Sequence, residues 1–533
     1  MINKNENEKL VYLGHASFLY LSKEFLVLMD PWLSSEGAYF NSWYQFPCNH
    51  HLESQVINML RTDNRKKYIY LSHHDKDHLD VNFLKKISDV NATYLIPNFS
   101  KKDEMFEKLT KESEIRAQDL FLFNDMQEIC IDNTVLKFYI QDSSRESDSS
   151  VLIKTENFNF FNTNDCKIHD RIPSIIKSEG EIDLLTMQFS GASWYPVVYQ
   201  NMLGDEKYFA LSKHKKNMRF RVVSNTIKNC KVKNFMPSAG PPCFLDPFLF
   251  HINFQRENIF PDARQIINFL VRRNKTLNVI DANPGEQVCL NSFDVKKYFD
   301  DNFYFNGVDP YEEKNKYLKM YQNLHIDKFK TQEIYSLELV TEKFAKELRK
   351  KLESFDLKSE LQKTLYFKII GHKCRKIISV DFINNKVQVV EDLMTQESYY
   401  LIVFRLKDIA LYIDSSLNFH DLLLSCRQKM HRSPDIYDYL IDSFLCLDAD
   451  DFKKFKEGFN EKSSNVERLT VTCGQKKYEI DRYCPHEKAD LKYAEVTNDG
   501  HVVCPRHCWE FDLNQAGKCA KISKYTINSV EIS

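Results

Sequence analysis

Two short loops near the C-terminus constrain this chain more than anything else in it. They read "RYCPHEKADL" and "VVCPRHCWEFDLNQAGKC", and they carry Cys484-Pro-His486 and Cys504-Pro-Arg-His507. Two thiolates and two imidazoles, split over two loops, make a four-ligand metal site. One occupant is a zinc ion, which more often takes C-x-x-C pairs on knuckles. The other is a two-iron, two-sulfide cluster with the thiolates on one iron and the imidazoles on the other.

The spacing of C-x-H and C-x-x-H across 17 residues matches the second of these, the Rieske [2Fe–2S] pattern, and "WEFDLNQAGKC" resembles the continuation of Rieske domains. Rieske proteins resembling those of respiratory complexes add a cysteine to each loop to form a disulfide. Here Lys488 and Arg506 stand near those places, and Cys508 follows His507. The resemblance therefore implies a low-potential, oxygenase-type or ferredoxin-type cluster held by Cys484, His486, Cys504 and His507. Such a cluster passes single electrons and implies an acceptor elsewhere in the chain.

The acceptor is expected in "LSHHDKDHLD" (71–80), which follows the apolar run "KYIYL". Three histidines and three aspartates at a strand end can present ligands to a pair of metals. The stretch resembles the metallo-β-lactamase-fold signature H-x-H-x-D-H, with His73 first, Asp75 where a second His would stand, and Asp77-His78 closing it. In the same resemblance Asp30 of "LVLMDPWL" is a supporting carboxylate, and Asp165 of "FNTNDC" bridges two metals. His15 in "GHAS" lines the site or serves as a core histidine. For the remaining ligands Asp148 is the nearest candidate in "SRESDSSVLI", and Asp246, with His251 as the alternative, in the stretch after "SAGPPC".

"DPWLSSEGAYFNSWYQFP", "QFSGASWYP", "MPSAGPPCFLD" and "LLLSCRQKMHRSPDIYDYL" resemble segments of the CMP-N-acetylneuraminate hydroxylase family. That family pairs a metallo-β-lactamase-like domain with a Rieske domain, in the opposite order to this chain. The resemblance implies hydroxylation of an amino sugar or nucleotide sugar, and a natural-product intermediate fits the reversed order equally. A site of His73, Asp75, Asp77, His78 and Asp165 is rich in carboxylate, which shifts preference toward iron, with manganese or zinc as alternatives. The expected chemistry is activation of dioxygen at an iron site, dinuclear and bridged by Asp165, with Asp77 and Asp165 as its catalytic carboxylates. The alternatives are a zinc hydrolase with a redox-sensing cluster and a dioxygen or nitric-oxide reductase.

At 533 residues the chain exceeds one hydrophobic core. The expected fold class is α/β. It comprises a metallo-β-lactamase-like αββα sandwich over residues 1–270, an α+β accessory region over 271–455, and an all-β Rieske domain over 456–533. The charged stretch 448–465 reads as a linker, and 417–445 as two helices broken near Ser433-Pro434. A net charge of −2 is no nucleic-acid footprint. No apolar run reaches the length of a membrane span, and "MINKNENEKL" lacks a secretory h-region. The chain is therefore expected in the cytoplasm, with its 14 cysteines mostly reduced. No flavin or nicotinamide fingerprint is visible, so a separate ferredoxin or reductase is the expected electron donor. The basic run "SKHKKNMRFR" (212–221) is a solvated face or a clamp for a substrate anion.

Overall fold

A computed structural model describes residues 8–101, 103–143, 145–299, 305, 307–330, 335–393, 398–415, 417–460, 467–522 and 524–532. The N-terminal half is two sheets packed face to face. The first runs Val295–Lys297, Glu286–Val288, Lys9–Gly14, Ser17–Leu21, Phe25–Met29, Lys66–Tyr70, Thr93–Pro97, Leu120–Phe123. The second runs Asn278–Val279, Asn234–Ser238, Leu184–Gln188, Asn159–Asn162, Ser147–Lys154, Thr134–Asp142, Glu128–Ile131.

Side-chain alternation explains why these strands are apolar on both faces. In Ser17–Leu21, Phe18 and Tyr20 enter the core between the sheets, whereas Leu19 and Leu21 point to the outer helices. Phe25, Val27 and Met29 likewise face inward, and Leu26 and Leu28 outward. A strand covered on both sides reads as a continuous apolar run. Helices Glu53–Thr62 and Val81–Lys86 cover the first sheet through Val56, Leu60, Phe83 and Leu84. Helices Ile172–Glu179, Asp205–Cys230 and Ala263–Arg273 cover the second through Ile172, Val223, Ile227, Ile266 and Leu270. Each such buried aliphatic side chain contributes roughly 1.5–3 kcal/mol. The layers are helix, sheet, sheet, helix, as the αββα expectation has it.

The sandwich draws three further strands from beyond the expected boundary at 270, which itself falls inside the helix Ala263–Arg273. The added strands are two or three residues long, too short for a periodic pattern to show in sequence.

The middle region is a five-stranded sheet ordered Lys386–Val390, Arg375–Asp381, Thr364–Ile370, Tyr399–Arg405, Lys429–Ser433. Helix Leu337–Ser354 packs on it through Phe344 and Leu348. Lys429–Ser433 replaces what reads as helix in sequence. It pairs with Tyr399–Val403 and buries Met430 and Arg432, two residues apart as a strand requires.

The C-terminal region is all-β, with a three-stranded sheet and a four-stranded sheet ordered Glu495–Val496, His501–Val503, Glu510–Asp512, Lys518–Cys519. The linker expectation does not hold for residues 448–460. Phe452–Asn460 is a helix whose Phe452, Phe455 and Phe459 are buried. Spacings of three and four put these aromatics on one face among charges. That face enters a core which also contains Trp32 and Tyr39 of the sandwich, Phe444 of the middle region, and Cys484 and Trp509 of the C-terminal sheets. Residues 461–465 of that stretch lie outside the described residues. The expected boundary at 455/456 cuts this helix.

Candidate metal centres

Strand ends deliver the N-terminal cluster. The chain leaves Lys66–Tyr70, runs through Ser72 and His73, and re-enters regular structure at helix Val81–Lys86. Asp80 caps that helix, accepting from Phe83 N at 3.0 Å, and also accepts from Ser34 N at 2.8 Å and Leu33 N at 3.1 Å. The last aspartate of the motif is thus a brace that ties this loop to the one after Asp30. Asp30 closes strand Phe25–Met29 with a φ of 40°. It accepts from the backbone N–H and the hydroxyl of Ser72, both at 2.7 Å.

The two histidines are gripped alike. His78 has Nδ1 3.1 Å from Asp30 and Nε2 3.6 Å from Asp165. His73 has Nδ1 3.1 Å from Asp148 and Nε2 3.5 Å from Asp75. Their rings lie 4.2 Å apart. Asp77 accepts from the Tyr39 hydroxyl at 2.8 Å and lies 3.2 Å from Nε2 of His15. Two metal-capable triads result, His15/Asp77/His78 and His73/His78/Asp165, each with donor atoms within 4.8 Å of one another and with His78 in common. His78 Nε2 and Asp165 Oδ1 are buried with no hydrogen-bond partner. Orphaned donors of this kind are costly unless something occupies the space between them, so the donor set fits a bound metal. Carboxylate–imidazole contacts on the far ring nitrogen, as Asp30 makes on His78, are the usual way such a ligand is oriented.

The electrostatics agree. Burial and the charge of His73 act against a charged His78, but Asp165 and Asp30 outweigh them and push its pKa up to about 10. His73 is raised well above the ordinary value by Asp148 and Asp75, against burial. Burial alone would raise Asp77, yet the His15 hydrogen bond and the His78 charge hold it down at about 2. Without metal, the imidazoles carry protons that a cation would displace.

Of the expected ligands, His73, Asp75, Asp77, His78, Asp148 and Asp165 converge here. Asp148 comes from strand Ser147–Lys154 and sits at the Nδ1 edge of His73. Asp246 does not join them. Its carboxylate is 3.0 Å from both Nε and Nη2 of Arg427, so its charge is already spent on a buried guanidinium. His251 is exposed. The site opens beside Asp75 and Asp165, whose side chains are 36% and 15% exposed. His420, on helix Phe419–Leu424, is close enough for the charge of Asp75 to act on it, although burial dominates and lowers its pKa. The sequence gives no motif for His420, which arrives from the middle region. A cleft of about 840 Å³ is lined by Trp32, Gly37, Tyr39, Lys76 and Asp80.

The C-terminal loops are built to one plan. Cys484 N–H donates to Ala489 O at 2.9 Å, and Cys504 N–H to Trp509 O at 2.8 Å. Lys488 N–H returns to Cys484 O, and Cys508 N–H to Cys504 O, with positive φ at both Lys488 and Cys508. Cys484 and Cys504 are buried neighbours, and the presence of Cys484 lowers the pKa of the Cys504 thiol. Nδ1 of His486 and of His507 are buried and have no hydrogen-bond partner. Their Nε2 atoms are engaged outward, 3.1 Å from the Tyr439 hydroxyl and 2.9 Å from Glu146 Oε2 respectively. Two thiols and two free Nδ1 atoms facing one space fit a [2Fe–2S] cluster. Trp509 stacks on His486, with centroids 4.0 Å apart at 13°. Every described cysteine is a free thiol, and Arg506, near the position of the extra cysteine, is instead bound to Asp170 at 2.8 Å.

The imidazole edge of this unit is turned into the protein. Arg506 donates to Asp170 and to Glu487 O, Asp490 N–H donates to Asp170, and His214 lies 2.9 Å from Glu510. His214 belongs to the basic run 212–221, which forms part of helix Asp205–Cys230. That helix is the shelf on which the C-terminal unit rests.

Residues 449–530 match the Rieske [2Fe-2S] domain, so the chain carries such a domain at its C-terminal end. A Mycolicibacterium smegmatis protein bearing the name of a Rieske 2Fe-2S iron-sulfur protein is 25% identical over 528 residues, spanning 95% of this chain and 96% of its own. The cytidine monophosphate-N-acetylneuraminic acid hydroxylase of Xenopus laevis is 24% identical over 286 residues, 52% of this chain and 45% of that one. Among solved structures, the diiron beta-hydroxylase CmlA of Streptomyces venezuelae aligns over 52% of this chain and 53% of that chain at 13% identity, with a TM-score of 0.34. Among the described residues, no helix is long and apolar enough to cross a membrane.

Proposed function

We propose that the chain is a Rieske-linked oxygenase that hydroxylates or oxidises a small organic substrate with dioxygen. The observation that carries this reading is the placement of both metal-capable sites at one strand end. Glu146 touches His507 of the C-terminal loops, and Asp148, two residues on, touches His73 of the N-terminal cluster. A site that relays electrons and a site that could consume them are thereby neighbours.

In this reading Cys484, His486, Cys504 and His507 hold the cluster, and His73, His78, Asp165, Asp77 and His15 hold iron as a pair, with Asp75 and Asp148 beside them. When bound, the cluster supplies electrons one at a time, and the iron supplies the affinity for dioxygen. The protein's own part is positional. Asp30 and Ser72 fix the ring of His78; Tyr39 fixes Asp77; Asp75 and Asp165 stand at the opening where substrate enters. His420, on whose charge Asp75 acts, packs edge-on against Trp194, with rings 5.6 Å apart. Carboxylates in this number favour iron over zinc. The Xenopus relative's name makes an amino sugar or nucleotide sugar the substrate class to try first. The electrons come from a separate ferredoxin or reductase in the cytoplasm.

The test is the metal content of protein produced with ample iron. About four irons and two acid-labile sulfides per chain are expected for one cluster and a dinuclear site. About two irons, two sulfides and stoichiometric zinc would overturn the oxygenase in favour of a hydrolase whose cluster senses redox state. Full reduction of dioxygen without any organic product would instead mark a gas reductase.

A further inference from the structure

We propose that Glu146 is the positioning residue that couples the two centres, and that His507, not His486, is the imidazole through which they communicate. The proposal rests on the C-terminal loops holding a [2Fe–2S] cluster. It does not depend on which metal the N-terminal site takes.

Both oxygens of Glu146 are committed. Oε2 accepts from Nε2–H of His507 at 2.9 Å, and Oε1 accepts from the Lys167 ammonium. Its backbone N–H donates to Ser143 Oγ at 3.1 Å, which fixes the start of the strand. Two charge-assisted bonds pulling from different sides leave the carboxylate one orientation.

Two routes run from Glu146 to the N-terminal cluster, one through Lys167 and one along its own backbone. Lys167 lies two positions after Asp165, whose Oδ1 is 3.6 Å from His78. Asp148 lies two positions after Glu146, and its Oδ1 is 3.1 Å from His73. Glu146 closes the turn that opens this strand, with Ser143 N–H donating to its carbonyl at 2.8 Å, and Asp148 is the strand's second residue, so the two sites are served from one strand end. Ser149 locks that strand to the metal loop, donating to Ser72 O at 2.8 Å.

His486 has a weaker carboxylate contact, with Glu487 Oε1 4.0 Å from its Nε2. Its Nε2 meets the Tyr439 hydroxyl, and its ring is clamped by Trp509. Tyr439 belongs to helix Tyr439–Cys446 of the middle region, and the cation above its ring, Arg145, is committed to Asp442. The two imidazoles of the cluster are thus unequal. A carboxylate on the outer nitrogen of a ligating imidazole tunes the metal behind it. A charge added at His73, His78 and Asp165 reaches this carboxylate through Lys167, two residues from Asp165, and through the backbone from Asp148.

The experiment is a redox titration of the cluster in the whole chain at one fixed pH, with the N-terminal site first empty and then filled with zinc. Zinc is redox-silent, so any change in the cluster's midpoint potential, or in the g-values of its reduced form, reports coupling alone. Wild type and Tyr439→Phe are expected to show the zinc-induced shift. Glu146→Ala is expected to lose it. Glu146→Gln, which keeps an acceptor for His507 but not the charge that holds Lys167, is expected to show a smaller one. A shift of wild-type size in Glu146→Ala overturns the proposal, as does a shift lost in Tyr439→Phe but kept in Glu146→Ala, or no shift in wild type. Because zinc does the filling, none of these outcomes is confused with failure of the oxygenase reading, which is decided by resident metal and product.

Discussion

Asp30 and His78 form a fully buried pair, carboxylate to Nδ1 at 3.1 Å, and neither side chain has any exposed surface. The pair is useful because it is one-sided. Asp30 takes one ring nitrogen and leaves the other, Nε2, pointing at Asp165 with no hydrogen-bond partner.

Replacing Asp30 by Asn is therefore expected to weaken metal binding at the N-terminal site by about 10–100-fold while leaving every proposed ligand in place. Competition against a chelator of known affinity measures this. The visible spectrum of the C-terminal cluster serves as the internal control and should not change.

Cys504→Ser should remove the cluster outright, because the thiolates are half of its ligands. Loss of visible absorbance and of the reduced-state EPR signal is the readout. Metal at the N-terminal site is expected to remain, since its donors come from strand ends of the sandwich alone.

Asp246→Ala discriminates a metal ligand from an ion-pair partner. It leaves the Arg427 guanidinium buried without its carboxylate, which costs about 3–5 kcal/mol. A clear fall in Tm with unchanged metal per chain is expected. Loss of metal in a protein of normal Tm would restore Asp246 to the ligand set.

Metal-free protein should respond to pH through His78. Its pKa of about 10 in the folded chain lies above the ordinary value of about 6.5. A raised pKa means that the folded state holds the proton more tightly. The stabilisation is then complete below about pH 6.5 and is lost as pH rises toward 10. Thermal unfolding of the apo protein should show Tm falling across that window. Metal affinity should move the other way and rise with pH, because the same proton must leave before metal binds.

What could be read from sequence follows how local each interaction is. The four cluster ligands lie within loops of three and four residues, so their chemistry is visible in the primary structure. The same holds for His73, Asp77 and His78, and for the doubly covered strands that hold them. Asp246 looked like a ligand because its partner, Arg427, lies 181 positions away, and nothing near Asp246 announces a guanidinium. Glu146 and His507 are 361 positions apart, and neither stretch carries a signal for the other. Asp148 is suggested by the metallo-β-lactamase resemblance, whereas no motif points to Glu146 two residues before it. Lys429–Ser433 was misread because its two buried residues, Met430 and Arg432, include an arginine, which hides a period of two.

The helix Phe452–Asn460 bears on how such a chain could have been assembled. Its three phenylalanines seat in a core shared by all parts of the molecule, and the recognisable Rieske segment begins just before it, at 449. A fragment cut at 456 would carry half a helix and leave Phe452 behind. The unit that can be moved between proteins is therefore the β-domain together with this amphipathic anchor.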